Sequence, residues 1–134
     1  NAYPPRVHVT AALRGAGSLC PGIPGRSENI HAVSIVGRYL EHARIFIFCN
    51  GGNPRYFISS ADWMTRNLNA RIEVATPVYD PVLQQDLRHI IEVQLRDNVK
   101  ARIFNKQQDN PYKRNRAPPV DAQKELYIHY QNLV

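Results

Sequence analysis

Apolar and polar residues along this 134-residue chain fall into short, mostly alternating stretches broken by turn signals, with two later stretches at helical spacing. Residues 7–13 have extended character with imperfect alternation, and Arg14-Gly15 closes them. Residues 30–36 read as a second strand, with Val33, Ile35 and Val36 available for burial. The strand signal is strongest over 43–48, where Ile45-Phe46-Ile47-Phe48 is β-branched or aromatic at each position. Being apolar on both faces, that strand is expected at the centre of a sheet. Asn50-Gly51-Gly52-Asn53-Pro54 turns the chain into a returning strand over 55–59. Residues 71–75 alternate as a half-buried strand does, and 99–104 read as a further strand.

Helix signals are local. Asp80-Pro81 pairs a good N-cap residue with proline at the first helical position. Behind it Leu83, Leu87, Ile90 and Ile91 form one face, and Gln84, Gln85, Arg88 and Glu92 the other. Asp62 is expected to cap a short turn through Met64 and Arg66, and Asp121 a last helix with Leu126, Tyr130 and Leu133 on one side. Residues 15–29, with glycine at 15, 17, 22 and 25 and proline at 21 and 24, form a loop long enough to be functional or mobile. Residues 105–119 are polar, basic and proline-containing, a loop or tether within the domain. Together these elements predict one α/β domain over 1–134, with a mixed β-sheet flanked by helices.

Composition narrows the class. The chain is 43% hydrophobic and 21% charged, and its longest apolar run, 45–49, is only a strand's length. A membrane protein, a collagen and a disulfide-stapled scaffold are excluded. Seventeen Lys and Arg against eleven Asp and Glu leave a net charge of +6, which suits a polyanionic partner without requiring one. Cys20 and Cys49 lack metal-site spacing and read as thiols in a reducing compartment. The start at Asn1, with no leader pattern, fits a piece of something longer.

Candidate chemistry centres on His42-Ala43-Arg44. If this segment is extended, imidazole and guanidinium project to one face, a pair suited to phosphate; the bland alternative is an exposed strand end. Ser59-Ser60-Ala61-Asp62 could leave backbone amides open to an anion, or could be a helix cap. Asn67, Asn69, Arg71 and Glu73 follow. The 15–25 loop matches neither nucleotide-binding glycine pattern. His8, His31, His89 and His129 read as packed or surface residues, and Trp63 as packing.

Several stretches occur together and in order: Ser27-Glu28-Asn29-Ile30, Ser34-Ile35-Val36-Gly37-Arg38-Tyr39-Leu40-Glu41-His42, Asn50-Gly51-Gly52, Ser59-Ser60-Ala61-Asp62-Trp63-Met64-Thr65-Arg66-Asn67 and Arg71-Ile72-Glu73-Val74. They resemble the C-terminal domain of the bacterial polyphosphate kinase family, the ATP–polyphosphate phosphotransferases, from about Leu13 to Val134. The resemblance implies a phospholipase D-like domain, the second of two that face each other across an ATP tunnel. The N-terminal, head and first C-terminal domains, the phosphorylated histidine, and most of the binding of the Mg²⁺ cofactor would lie outside this chain. It implies His42 as the catalytic residue, and Arg14, His42, Arg71 and Glu73 as the ATP and phosphate contacts, with no metal held here. Where the family commonly has cysteines after the matching Arg-Gly, this chain has Ala16-Gly17-Ser18 and then Cys20. The expected partners are ATP, ADP and inorganic polyphosphate, with no nucleic acid. The full-length enzyme is expected to be a bacterial cytoplasmic homo-oligomer, with membrane association as a further expectation, and this piece alone inactive. Lys113-Arg114-Asn115-Arg116 then reads as a solvated run or a patch guiding polyphosphate.

Two other classes compete. A phospholipase D-type phosphodiesterase half-domain needs H-x-K-x-x-x-x-D, but the Lys position is Arg44 and the Asp position Cys49. A non-catalytic polyanion-binding domain would show steep salt dependence and indifference to His42 substitution.

Overall fold

Two three-stranded sheets carry the strands, where a single mixed sheet was expected. The structure, a computed structural model, describes residues 7–14 and 19–133; Gly15 and the Ala16-Gly17-Ser18 departure lie outside them. In chain order the elements are β1 (Val9–Arg14), β2 (Ile30–Ile35), β3 (Ile45–Phe48), β4 (Arg55–Ser59), α1 (Thr65–Asn69), β5 (Ala75–Val78), α2 (Pro81–Arg96), β6 (Arg102–Ile103) and α3 (Ala122–Gln131). The described residues group into two compact units. One comprises those up to Glu41 with those from Glu92 onward, the other His42–Ile91.

In the first unit β1 runs parallel to β2, from Val9 opposite Ile30 to Arg14 opposite Ile35, and β2 pairs antiparallel with β6. Its buried apolar residues are Ala32, Ile35, Val93, Ala101 and Ala122.

β6 is two residues long, not the six expected over 99–104, and the cause is Asp97. One oxygen of its buried carboxylate accepts from the amides of Val99 (3.0 Å), Lys100 (2.8 Å) and Ala101 (3.0 Å), and the other from Ala122 (2.9 Å). Amides held by a side chain are lost to a β-ladder. Burial pushes the Asp97 carboxyl up, but these four amides outweigh it and hold the group below its ordinary value. The same residue follows the end of α2 and reaches the first residue of α3.

The 105–119 segment contains no helix and only an isolated bridge between Arg102 and Tyr112. It is less a solvated tether than its composition suggests. Lys113 donates to the carbonyl of Leu95, and Arg114 to those of Asn98 (2.6 Å) and Val99, all at or just past the C-terminus of α2. Cations there satisfy one carbonyl of the last helical turn and two of the segment that follows it.

In the second unit β3, β4 and β5 pair antiparallel in that order. β3 therefore lies at an edge and β4 at the centre, a correction to the sequence expectation. Apolar residues on both faces record side-chain contacts, not rank in the ladder. Phe46 stacks on Trp63 with centroids 5.8 Å apart, and Phe48 meets Phe57 edge-on at 5.8 Å. Trp63 remains 76% exposed, so it covers Phe46 and fills no core.

Residues 71–74 form no strand either. The Ser60 amide donates to the Val74 carbonyl (3.0 Å), and the Val74 amide donates to the Ser60 hydroxyl (3.0 Å), which takes the place of a backbone partner. The alternation there is inverted: Ile72 is fully exposed, whereas Glu73 is half-buried.

Asp80 starts α2 as its sequence predicts, accepting from Val82 (2.8 Å) and Leu83 (3.1 Å). Leu87, Ile90 and Ile91 are half-buried, while Leu83 is exposed. From the polar face Gln84 donates to the Val78 carbonyl (2.8 Å), and Arg88 to the hydroxyl of buried Tyr56 (3.0 Å). Asp121 caps α3 through the Lys124 amide. Among the described residues Cys20 and Cys49 form no disulfide, and no helix is long and apolar enough to cross a membrane.

Candidate functional site

Leading to His42, residues 37–41 form a strap fixed by side chains from three elements of the first unit. Gln123 of α3 accepts from the Tyr39 amide (3.0 Å) and donates to the Tyr39 carbonyl (2.7 Å) and a Glu41 oxygen (2.8 Å). Gln94 of α2 donates to the other Glu41 oxygen (3.1 Å). Arg14, at the end of β1, donates to the Glu41 carbonyl (2.9 Å). Gly37 makes this possible, because a Cβ there would collide with the Gln123 amide. Arg14 is thus placed as an exposed guanidinium that also orders the backbone before His42 in sequence.

His42 opens the second unit with its side chain exposed. The i, i+2 spacing acts as expected: Arg44 Nη1 lies 3.3 Å from His42 Nδ1. A guanidinium can only donate, so Nδ1 is the acceptor and the neutral ring carries its proton on Nε2. Among the described residues Nε2 has no hydrogen-bond partner. Arg44 is in turn held by Asp62, Nε to Oδ1 2.8 Å, with both side chains mostly covered. That bond raises the guanidinium above its ordinary pKa, burial opposing it and the Asp62 and Glu73 charges adding to it.

Asp62 does not cap α1. The N-cap residue is Met64, with no side-chain cap bond, because the Asp62 carboxylate is engaged by Arg44. Two amides of this corner are already taken by the protein. The Ser60 amide bonds Val74, and the Ala61 amide donates to the Ser59 hydroxyl (3.1 Å).

Glu73 is the centre of a second cluster. One oxygen accepts from Asn67 Nδ2 (2.7 Å) and the other from the Ser60 hydroxyl. The Ser60 and Asn67 bonds hold its carboxyl below the ordinary value, and the Arg71 and Arg44 charges act in the same direction. Arg71 itself is exposed and makes no hydrogen bond among the described residues.

The structure therefore brings His42, Arg44 and Asp62 together, and sets Glu73 on Ser60 and Asn67 with the Arg71 charge acting on it. Arg14 belongs to the other unit. Sequence reasoning missed Asp62 as the anchor of Arg44, and Asn67, Gln94 and Gln123 as positioning groups. These contacts span 6 to 84 residues, beyond the reach of local spacing. Among the described residues no three His, Cys, Asp or Glu side chains cluster as a metal site would need. Asp62 and Glu73, the carboxylates of these two clusters, are already committed to protein donors.

A family model described as polyphosphate kinase C-terminal domain 2 matches residues 2–123. Polyphosphate kinase of Salmonella typhimurium is 48% identical over 128 residues, 95% of this chain and 19% of that protein. Polyphosphate kinase 1 of Chlorobaculum tepidum is 47% identical over 117 residues, 87% of this chain and 17% of that protein. The crystal structure of polyphosphate kinase from Porphyromonas gingivalis superposes with a TM-score of 0.88 at 46% identity, covering 94% of this chain and 19% of that one. The chain spans about a fifth of the length of these relatives.

Proposed function

This chain belongs to the polyphosphate kinase C-terminal domain 2 family, and on that premise we propose that the complete protein transfers the terminal phosphate of ATP reversibly to inorganic polyphosphate. The chain supplies one phospholipase D-like wall of the site. The observation that carries this reading is the exposed His42 imidazole beside the Arg44 guanidinium, a hydrogen-bond donor and a fixed positive charge at one place.

Phosphoryl transfer asks a protein chiefly to position phosphates and offset charge on their oxygens. His42 meets the reacting phosphates, and Arg14 and Arg71 the nucleotide or polyphosphate oxygens. Glu73, both oxygens engaged, acts at the rim by fixing Asn67 and Ser60. The phosphorylated nucleophile is assigned to the domain this chain lacks. Mg²⁺, which screens nucleotide phosphates when bound, is assigned there too, because the residues here do not fit it.

The test is the complete protein, assayed for ATP formation from polyphosphate and ADP. His42→Ala and Arg14→Ala are each expected to lower kcat about a hundredfold or more, the scale of losing one transition-state donor. Unchanged turnover in both variants would refute the assignment. Binding with steep salt dependence and no turnover in the wild type would favour a polyanion-binding domain.

A further inference from the structure

The Nδ1 face of His42 meets a cation, the reverse of the usual arrangement. A histidine that works through Nε2 as base, nucleophile or metal ligand commonly donates its Nδ1–H to a carboxylate or carbonyl, which leaves Nε2 bare. Here a carboxylate is present, but Arg44 is interposed. Asp62 Oδ1 takes Arg44 Nε at 2.8 Å, and Arg44 Nη1 points at His42 Nδ1 from 3.3 Å. A proton on Nδ1 would face that guanidinium N–H, so the pair selects the ring form with Nε2 protonated. The ring is exposed and Nε2 has no partner among the described residues, so its N–H is directed to whatever binds there.

We propose that Arg44, anchored by Asp62, is a positioning residue that makes His42 a fixed Nε2–H hydrogen-bond donor to a phosphate oxygen, not a base or a nucleophile. The proposal rests on the reading of His42 given above and deepens it. No bond to His42 forms and no proton leaves it. The imidazole offsets charge on a phosphate oxygen as an oxyanion-hole donor does. The failed H-x-K-x-x-x-x-D signature then has a structural counterpart: beyond the missing Lys and Asp, the ring nitrogen a nucleophile would need carries a proton.

Glutamine and asparagine at position 42 separate the roles, because the glutamine amide N–H lies near the Nε2 position and the asparagine amide near Nδ1. In the complete protein, His42→Gln is expected to retain a substantial share of ATP formation from polyphosphate and ADP. His42→Asn and His42→Ala should fall about a hundredfold or more, as for loss of one such donor. Arg44→Met should lower kcat with KM little changed, and Asp62→Asn should do so less. In ¹⁵N-imidazole spectra of the chain, His42 should be a single Nε2–H tautomer that becomes a mixture in Arg44→Met.

His42→Gln as inactive as His42→Ala, or a tautomer unmoved by Arg44→Met, would overturn the donor assignment while leaving His42 as a catalytic residue. Full activity in His42→Ala would instead overturn the reading of the site beneath it.

Discussion

Replacing Asp97 tests the first unit at a buried carboxylate that ties the segment after α2 to the start of α3. The side chain is 1% exposed and accepts four backbone amides, at 2.8 to 3.0 Å, from the segment after α2 and from the start of α3. A hydrogen bond to a charged group contributes about 1.5–3 kcal/mol, and a buried amide left unpaired costs about 1–3 kcal/mol. Water entering the cavity of Asp97→Ala recovers part of this, so we expect a net loss of about 4–6 kcal/mol, a large part of the stability of a domain this size. In urea, with an m-value of about 1.5–2 kcal/mol/M, the unfolding midpoint should fall by about 2–4 M. Far-UV circular dichroism of the chain gives that midpoint.

Asp97→Asn should cost about half as much. Its carbonyl still serves three amides, but its NH₂ faces the Ala122 amide donor to donor. The pH dependence carries a defined sign. The folded-state pKa lies below the ordinary 3.8, so the carboxylate stabilises the fold fully above that value. The contribution is lost as pH falls below about 4 through the lower folded-state value, and that part of the acid dependence should be missing in Asp97→Asn. A loss under about 1 kcal/mol in Asp97→Ala, or equal losses in the two variants, would refute the bond count as the cause.

Gly37→Ala should displace Gln123 from Tyr39 and Glu41, costing about 1–3 kcal/mol; thermal unfolding of the single and double variants should show the cost largely absent in a Gln123→Ala background. Lys113→Ala and Arg114→Met should each destabilise by about 1–2 kcal/mol through the carbonyls left at the end of α2. A drop in polyphosphate affinity without loss of stability would instead revive the guiding-patch reading of that run. Ser60→Ala should raise the Glu73 pKa toward its ordinary 4.5, read by a carboxyl NMR titration. The chain alone should form no ATP from polyphosphate and ADP, and steady turnover by these 134 residues would contradict the division of labour proposed between domains.

What the sequence revealed follows from distance along the chain. The starts of α2 and α3 were legible because Asp80 and Asp121 act within three residues of themselves. The turn at Asn50-Gly51-Gly52 was legible because its residues tolerate positive φ, which all three adopt. The place of β3 at an edge was not, since its aromatics satisfy both faces against Trp63 and Phe57. The shortening of β6 and the loss of a strand over 71–74 share one cause: a side chain, Asp97 or Ser60, captures amides that the alternation had assigned to a ladder. At the site, His42 and Arg44 were paired by a two-residue spacing, but Asp62 lies 18 residues from the Arg44 it holds and looked like a cap. The family resemblance supplied Arg14, Arg71 and Glu73 as candidates; their surroundings, not their spacing, now suggest what each does.

The clamp on the strap also sets a timetable. Tyr39 and the Gln123 that holds it are 84 residues apart, so at synthesis rates of about 5–20 residues per second the strap waits about 4–17 s for its partner. Once Ser59 has been made, for most of that interval, the hairpin of β3 and β4 can already form, its paired residues lying at most 13 positions apart. The segment that delivers His42 is therefore among the last parts of this chain to be fixed, and a ribosome halted before Gln123 would release a formed hairpin without its clamped strap.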